Sequence, residues 1–281
     1  MKFEHSWTGN WENAFRGLRH PMESYARSDS DFGIGDCDAW LESCRNEVAY
    51  SYCSEGHEDE NWEEIDEWLA KNGELRFGKY AGEYAYIGKN DLDLAQRMIK
   101  AGSPNDKFLR QIFVSVDITA PRYWWSEMDT YKVGTTANST STMHKLASTP
   151  ITLDCFEIDD YESEIPVDMV DQSGVTETGK KEGFTAHWHM SDFIENWGLI
   201  EKLEDLRVMY NKTKDKRYWK ELIRWLPAGW LQTRTFTCNY AVLRNIIHWR
   251  STHKLTEWHQ FVDWCRTLPY SSELLFYNQE K

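Results

Sequence analysis

The sequence predicts an α+β protein in which helices flank a mixed or antiparallel sheet. Apolar residues make up 41% of the 281 residues, which is enough to form a sizeable core. Segments with helical periodicity alternate along the chain with segments in which every second residue is apolar, as expected when helices and strands interleave. No internal repeat of fixed period is present, which argues against a solenoid or a propeller.

The N-terminal part begins with an extension over residues 1–56, which mixes glycine, serine, aspartate and aromatic residues without a period. We expect turns and short elements there. The main domain is expected to cover 57–281 and to begin with a helix over 58–73, because its tryptophans share one face and an Asn-Gly pair ends it. A second helix is predicted over 91–100, with a glycine just past its end.

The middle of the chain predicts a strand, a short helix and a polar loop. Residues 108–118 are rich in β-branched and aromatic residues, and apolar and polar side chains alternate along them. Pro121 ends this strand, and the aromatic residues after it can start a helix at 122–128. Residues 129–143 are polar and rich in Thr and Ser, which is typical of a binding loop. Residues 147–185 hold prolines, glycines and an acidic run, and are predicted to be an insertion.

The C-terminal part predicts four helices and one strand. Amphipathic patterns predict helices over 193–210 and 217–225, and a proline ends the second one. An alternating pattern over 233–238 predicts a strand. Two more helices are predicted over 239–250 and 257–266, so that helices and strands remain interleaved to the end of the chain.

Charge and hydropathy exclude several classes of function. The chain has 32 basic and 46 acidic residues and a net charge of −14, which would repel the backbone of a nucleic acid. A mononucleotide remains compatible, because its site needs only a few local cations. No stretch is apolar over 18 residues, so we expect no membrane span. The N-terminus has no apolar signal segment, so we expect a cytoplasmic protein whose six cysteines are thiols.

Motif searches favour no metal site and no common nucleotide fold. Cys37, Cys44 and Cys53 are spaced as in no zinc motif. His187 and His189 would share one side of a strand, but they need a carboxylate as a further ligand, and a hydrogen-bonded or solvated pair is the commoner arrangement. Phosphate-loop, dinucleotide-fold and nucleophile-elbow motifs are absent. The 15 tryptophans are consistent with packing or with stacking on a heterocycle.

The predicted helix at 239–250 carries a cation on its apolar stripe. Arg250 lies seven residues after Leu243 and shares its face with the intervening isoleucines. A guanidinium at an inward position needs an anion or a hydrogen-bond acceptor. The alternative is an arginine at the edge of the stripe that reaches water or pairs with Glu257 or Asp263.

Two segments resemble the flavin-dependent thymidylate synthases. The residues that match the C-terminal signature of that family are Leu226-Pro227, Thr237, Asn239, Leu243, Asn245 and Arg250. In the earlier segment, a strand, Ala120-Pro121 and an aromatic helix come before Thr130-Tyr131-Lys132, and Thr140 follows after seven further residues. This order resembles the place of the family motif R-H-R-x7-S. The two segments cover roughly residues 91–146 and 190–268.

The resemblance implies an enzyme that methylates dUMP, or a related pyrimidine nucleotide, at C5 with methylenetetrahydrofolate and FADH2, with NADPH as a co-substrate. It also implies a homotetramer with sites between subunits, and no protein nucleophile. The residues implied to bind FAD are Arg110, Thr130, Tyr131, Lys132, Asn239 and Asn245. The residues implied to bind the nucleotide are Asn138, Ser139, Thr140, Ser141, Thr142, Arg224 and Arg250. Arg250 is also implied to act catalytically, by stabilising negative charge on the pyrimidine ring.

Several positions depart from the family pattern. Lys132 is the one cation where the family has two arginines and a histidine, and Arg110 stands in place of an FAD-contacting histidine. Thr142 and Ala241 replace arginines, and Arg224 lies one position away from a phosphate-binding arginine. Two alternatives to the synthase therefore remain: a divergent flavoenzyme that acts on another pyrimidine nucleotide, and a binding or structural protein with a vestigial pocket.

Overall fold

The computed structural model describes residues 1–34, 83–159, 162–166, 185–189 and 198–279. The predicted helix at 58–73, the three N-terminal cysteines and the first residues of the helix predicted over 193–210 lie outside these residues. The described residues confirm the α+β class, because helices flank an antiparallel sheet.

The main sheet has four strands. The strands, numbered in chain order, are β1 (Lys2–Gly9), β2 (Asp31–Ile34), β3 (Glu83–Tyr86), β4 (Phe113–Pro121), β5 (Thr136–Ser139), β6 (Glu162–Pro166), β7 (Thr185–His189) and β8 (Leu231–Asn239). The order in the main sheet is β1-β4-β8-β5, and β2-β3 and β6-β7 form separate antiparallel pairs. In β4, Val114, Val116 and Ile118 are buried on one side, as the alternation in the sequence predicts.

Helices surround these strands. They are α1 (Trp11–Arg19), α2 (Lys89–Ala101), α3 (Arg122–Met128), α4 (Thr142–Lys145), α5 (Leu199–Thr213), α6 (Lys216–Trp225), α7 (Tyr240–Arg250) and α8 (Thr256–Arg266). Shorter 3-10 turns include Asn105–Gln111, and a π-type turn covers Ser271–Leu275. The helices α2, α3, α6, α7 and α8 and the strand β8 confirm the corresponding sequence predictions to within two residues. None of the described helices is long and apolar enough to cross a membrane.

Two predictions about secondary structure were wrong. The strand predicted over 108–118 begins only at Phe113, because Phe108 and Leu109 are adjacent and both buried. A strand turns consecutive side chains to opposite faces, whereas the 3-10 turn found there buries both. Residues 129–143, which were expected to form a loop, contain β5 and the start of α4. The predicted extension contains short elements, as expected, among them β1 and α1. The boundary at residue 56 lies outside the described residues, and it stays a prediction.

The chain divides into two compact units. Unit 1 comprises Met1, Thr119–Thr130 and Ser139–Arg234, and unit 2 comprises Lys2–Ile118, Tyr131–Asn138 and Thr235–Lys281. One core cluster of unit 1 is aliphatic and includes Leu146, Ile151, Leu203, Leu222 and Leu226. The core of unit 2 is rich in aromatic residues, which include Trp11, Phe15, Tyr240, Trp258, Phe261 and Tyr270. Many of the tryptophans therefore serve packing, as the composition predicts.

Candidate functional site

The first turn of α7 is shaped by Asn239. This residue ends β8 with an extended backbone, and its Oδ1 accepts a hydrogen bond of 3.0 Å from the backbone N–H of Val242. An asparagine at this position satisfies one of the backbone donors that a helix leaves unpaired at its N-terminus. The side chain of Asn239 thus has a structural role at the start of the helix that carries Arg250.

The segment 131–138 lies directly against this turn. We call it the loop 131–138, although its last three residues are the first three of β5. Gly134 has a φ of +76°, and a Cβ at this position would lie 3.1 Å from Cγ2 of Val242 and 3.3 Å from Nδ2 of Asn239. Glycine is favoured at such a φ, and here it also allows a close backbone approach. The segment that carries Tyr131 and Lys132 is therefore anchored to the start of α7.

The far end of α7 meets the same segment through Arg250. The Arg250 Nε donates a hydrogen bond of 2.9 Å to the hydroxyl oxygen of Tyr131. The guanidinium carbon lies 4.6 Å from the ring centroid of Trp258 and 5.5 Å from that of Tyr131. We call the rings of Tyr131 and Trp258 the aromatic corner, because they meet at 67° with their centroids 6.2 Å apart. Both rings are close enough for cation–π attraction to a half-buried arginine.

The other residues that the resemblance assigns to unit 2 are more exposed. Arg110 is exposed at the end of the 3-10 turn, Lys132 in the loop 131–138, Asn138 in β5 and Asn245 on the outer face of α7. Among the described residues, neither Arg110 nor Lys132 forms an ion pair. The structure thus joins Tyr131 to Arg250, and it leaves these four side chains accessible.

The remaining predicted residues belong to unit 1. The Thr140 hydroxyl donates to the carbonyl of Thr233, the Ser141 hydroxyl accepts from the backbone N–H of His144, and the Thr130 hydroxyl donates to the carbonyl of Glu127. Ser139 is exposed in β5 and Thr142 is half-buried at the start of α4. Arg224 is exposed and forms an ion pair with Glu221. A joint site of these residues with Arg250 stays a prediction.

Sequence reasoning missed Trp258 as a contact of Arg250. The indole is fully buried and lies on the inward face of α8. Its pattern in the sequence is that of a core residue, which it also is. No signal in the sequence distinguishes a tryptophan that only packs from one whose face also holds a cation.

The described residues contain no group of three or more His, Cys, Asp or Glu side chains that could hold a metal ion. Cys238 and Cys265 are free but buried, and burial raises the pKa of each thiol well above its usual value. A buried thiol with a raised pKa is a poor nucleophile. Neither of these two thiols is therefore suited to act as a thiolate nucleophile.

Comparisons with known proteins support the fold. No protein-family model and no curated protein matches the chain. The flavin-dependent thymidylate synthase ThyX from Helicobacter pylori, complexed with FAD and dUMP, is similar over 100% of both chains, with a TM-score of 0.54 and 14% identity. A second structure of ThyX from Helicobacter pylori, with FAD and dUMP, is matched over 68% of this chain and 84% of that one, with a TM-score of 0.45 and 17% identity. The first match shows that the chain has a fold of this type.

Proposed function

We propose that the chain is a flavin-dependent thymidylate synthase-like enzyme that reductively methylates dUMP at C5, with methylenetetrahydrofolate as the one-carbon donor. One observation carries the proposal. Tyr131 and Arg250 lie 119 residues apart, in the two segments that resemble the family motifs, and their side chains are hydrogen bonded. The fold shared with ThyX supports the same function.

The side chains of unit 2 fit FAD in their chemistry. Arg110 and Lys132 provide charge for a diphosphate, and the amide of Asn245 provides a donor and an acceptor for a heterocycle. Tyr131 accepts from Arg250 and still has its own O–H to donate. Asn239 and Thr130 complete the proposed set. Bound FAD would supply the hydride that reduces the transferred carbon, and NADPH would restore the reduced flavin.

Arg250 is the proposed catalytic residue. Negative charge spreads over the carbonyl groups of the pyrimidine when C5 becomes nucleophilic, and a guanidinium at the ring edge stabilises it. A preorganised donor of this kind contributes about 3 kcal/mol in a site that excludes water. Nucleotide contacts are proposed for Asn138, Ser139, Thr140, Ser141, Thr142 and Arg224. We further propose a cytoplasmic homotetramer.

One observation favours a second candidate. Arg224 pairs with Glu221, and Thr142 has no charge, so two positions expected to bind the nucleotide phosphate contribute little positive charge. Both features are compatible with a flavoenzyme that acts on another pyrimidine nucleotide and needs less positive charge at the phosphate.

Three measurements test these proposals. Titration of FAD into the flavin-free protein is expected to quench flavin fluorescence, and NADPH is expected to bleach the bound flavin. The reduced protein is then expected to release deuterium from dUMP labelled at C5. Release from a labelled pyrimidine other than dUMP alone would favour the second candidate. Absence of flavin binding at high micromolar concentration would contradict both and favour a non-catalytic binding protein.

A further inference from the structure

The Arg250 guanidinium contacts groups on two different elements. Tyr131 in the loop 131–138 accepts from Nε, and the buried face of Trp258 in α8 lies 4.6 Å from the guanidinium carbon. An arginine side chain on a helix surface normally samples many rotamers. Here a hydrogen bond restrains rotation of the guanidinium, and a flat ring restrains its plane.

Trp258 is itself held in place by its surroundings. Its indole is 0% exposed, and it meets the ring of Phe261 at 79° with the centroids 5.8 Å apart. The ring of His253 lies 6.2 Å away at 70°. A close-packed indole cannot turn without displacing these neighbours. The ring of Trp258 therefore provides a fixed surface against which the Arg250 side chain lies.

The contacts between Arg250 and the aromatic corner involve no formal negative charge. A ring face attracts a guanidinium through its quadrupole, and a phenol oxygen accepts a hydrogen bond without carrying a full charge. The bond to Tyr131 uses Nε rather than a terminal nitrogen. The two terminal nitrogens of a guanidinium form the planar fork that recognises paired acceptors, such as the carbonyl groups of a pyrimidine.

We propose that Trp258 is a positioning residue for Arg250, and that it fixes the plane in which the guanidinium meets the pyrimidine ring. This inference rests on the proposed function of Arg250. Donors that are already oriented need no rearrangement when charge develops in the substrate, so loss of the indole face is expected to lower turnover more than it weakens nucleotide binding.

Three variants separate positioning from packing. Trp258→Phe keeps a flat aromatic face, and Trp258→Leu keeps an apolar side chain without that face. Trp264→Leu is the matched control, because Trp264 is also buried in α8 but packs on Phe3 and donates to Ser6. All three are expected to lower the melting temperature by creating space in the core.

Deuterium release from labelled dUMP then distinguishes the variants. Trp258→Leu is expected to lower kcat about tenfold or more with little change in KM, as for a misplaced catalytic group. Trp258→Phe is expected to recover most of that loss, and Trp264→Leu to change the melting temperature alone. Equal values of kcat for Trp258→Leu and Trp258→Phe would assign Trp258 to packing and overturn the inference.

A binding measurement without flavin separates failure of this inference from failure of the proposed function. Arg250→Ala leaves the aromatic corner without its guanidinium, and methylguanidinium at millimolar concentration is expected to bind there and raise the melting temperature. The added Trp258→Leu substitution is expected to abolish this shift. If the shift depends on Trp258 but the native protein releases no deuterium, the corner holds a guanidinium and the proposed function is wrong. If the shift is the same with and without Trp258, the inference is wrong whatever the activity.

Discussion

A substitution at Arg250 can separate the effect of its positive charge on turnover from the effect of its planar guanidinium. Arg250→Lys keeps the positive charge but loses the Nε donor to Tyr131 and the planar group that lies over Trp258. We expect turnover to fall by about two orders of magnitude with little change in melting temperature, as for loss of a preorganised donor. Deuterium release from labelled dUMP and thermal melting measure the two effects. Unchanged release with a lowered melting temperature would instead make Arg250 a structural residue.

A buried ion pair in unit 2, between Asp91 and Arg19, is expected to contribute strongly to the free energy of unfolding. The Asp91 carboxylate is fully buried, accepts from Arg19 at 2.5 Å, and also accepts from the hydroxyls of Ser28 and Ser30 at 2.6 Å. Asp91→Asn leaves the buried Arg19 without its counter-charge, which costs about 3–5 kcal/mol. Denaturant unfolding measures this loss.

Helix α2, which carries Asp91, also contains the control for this prediction. Asp93 pairs with Arg97 at 2.9 Å, but both side chains are more than 60% exposed. Surface pairs contribute between about 0 and 1 kcal/mol, so Asp93→Asn is expected to have little effect on unfolding. If Asp91→Asn and Asp93→Asn are equally stable, groups other than Asp91 stabilise the charge of Arg19, and the prediction is wrong.

Arg250 and Trp258 show how far the sequence predicts a site. The seven-residue spacing from Leu243 places Arg250 on the apolar stripe, either inward or at its edge, and the side chain is half-buried. Nothing in the sequence indicated the contacts with two rings that the structure shows. Trp258 lies on another helix, and no pattern within one segment reports a contact between two segments.

The loop 131–138 is expected to depend on Gly134. Gly134→Ala introduces a Cβ at a φ of +76° and within 3.1 Å of Val242. The left-handed backbone alone costs a non-glycine residue about 1–2 kcal/mol, and the close approach also displaces the loop that carries Tyr131 and Lys132. We expect lower stability and weaker quenching of FAD fluorescence.

Gly102 is a control for the effect of backbone strain. Its φ of +72° and ψ of −172° lie in a region that only glycine readily adopts, but a Cβ there would meet no atom within 4 Å. Gly102→Ala is therefore expected to lower the melting temperature through backbone strain without affecting FAD binding. Equal loss of FAD binding in both variants would show that strain alone, rather than the contact with α7, accounts for the effect.

In unit 1, α5 contains a carboxylate that couples stability to pH. Hydrogen bonds from Arg207 hold the pKa of Glu204 below its usual value of 4.5, and the backbone N–H of Ile151 acts in the same direction at 2.8 Å. Because the folded-state pKa is lowered, this stabilisation is complete above about pH 4.5 and is lost as pH falls through the folded-state pKa.

The variant Glu204→Gln is expected to remove this contribution. The melting temperature of the variant should lie below that of the native protein at neutral pH, and the difference should narrow under acidic conditions. Glu201→Gln changes an exposed carboxylate on the same helix and serves as the control. A difference that stays constant with pH would show that the charge of Glu204 does not stabilise unit 1.

Elements were predictable where the burial of their side chains is periodic. Trp11, Ala14, Phe15 and Leu18 recur at helical spacing and are buried in α1, so the signal for this helix was present but was masked by the mixed composition around it. Strand β5 gave no such signal. All four of its side chains are exposed, and it forms through backbone pairing at the edge of the main sheet. A polar segment of this kind resembles a loop in sequence.

The chain has a net charge of −14, but two of the residues proposed to bind FAD, Arg110 and Lys132, are cationic. Several surface arginines pair with an acid three or four residues away, as Arg16 does with Glu12 and Arg266 with Asp263. Arg110 and Lys132 form no such pair among the described residues. An anionic cofactor would therefore find attraction at these two side chains on a molecule whose overall field repels it.

The homotetramer that the resemblance implies can be tested on the whole molecule. Four chains of 33.3 kDa give a mass of about 133 kDa, which light scattering measures directly. If the sites lie between subunits, dilution that dissociates the assembly is expected to lower the melting temperature and to abolish FAD binding over the same range of protein concentration. A mass of 33.3 kDa with undiminished FAD binding would contradict shared sites and would place the whole cofactor site within a single chain.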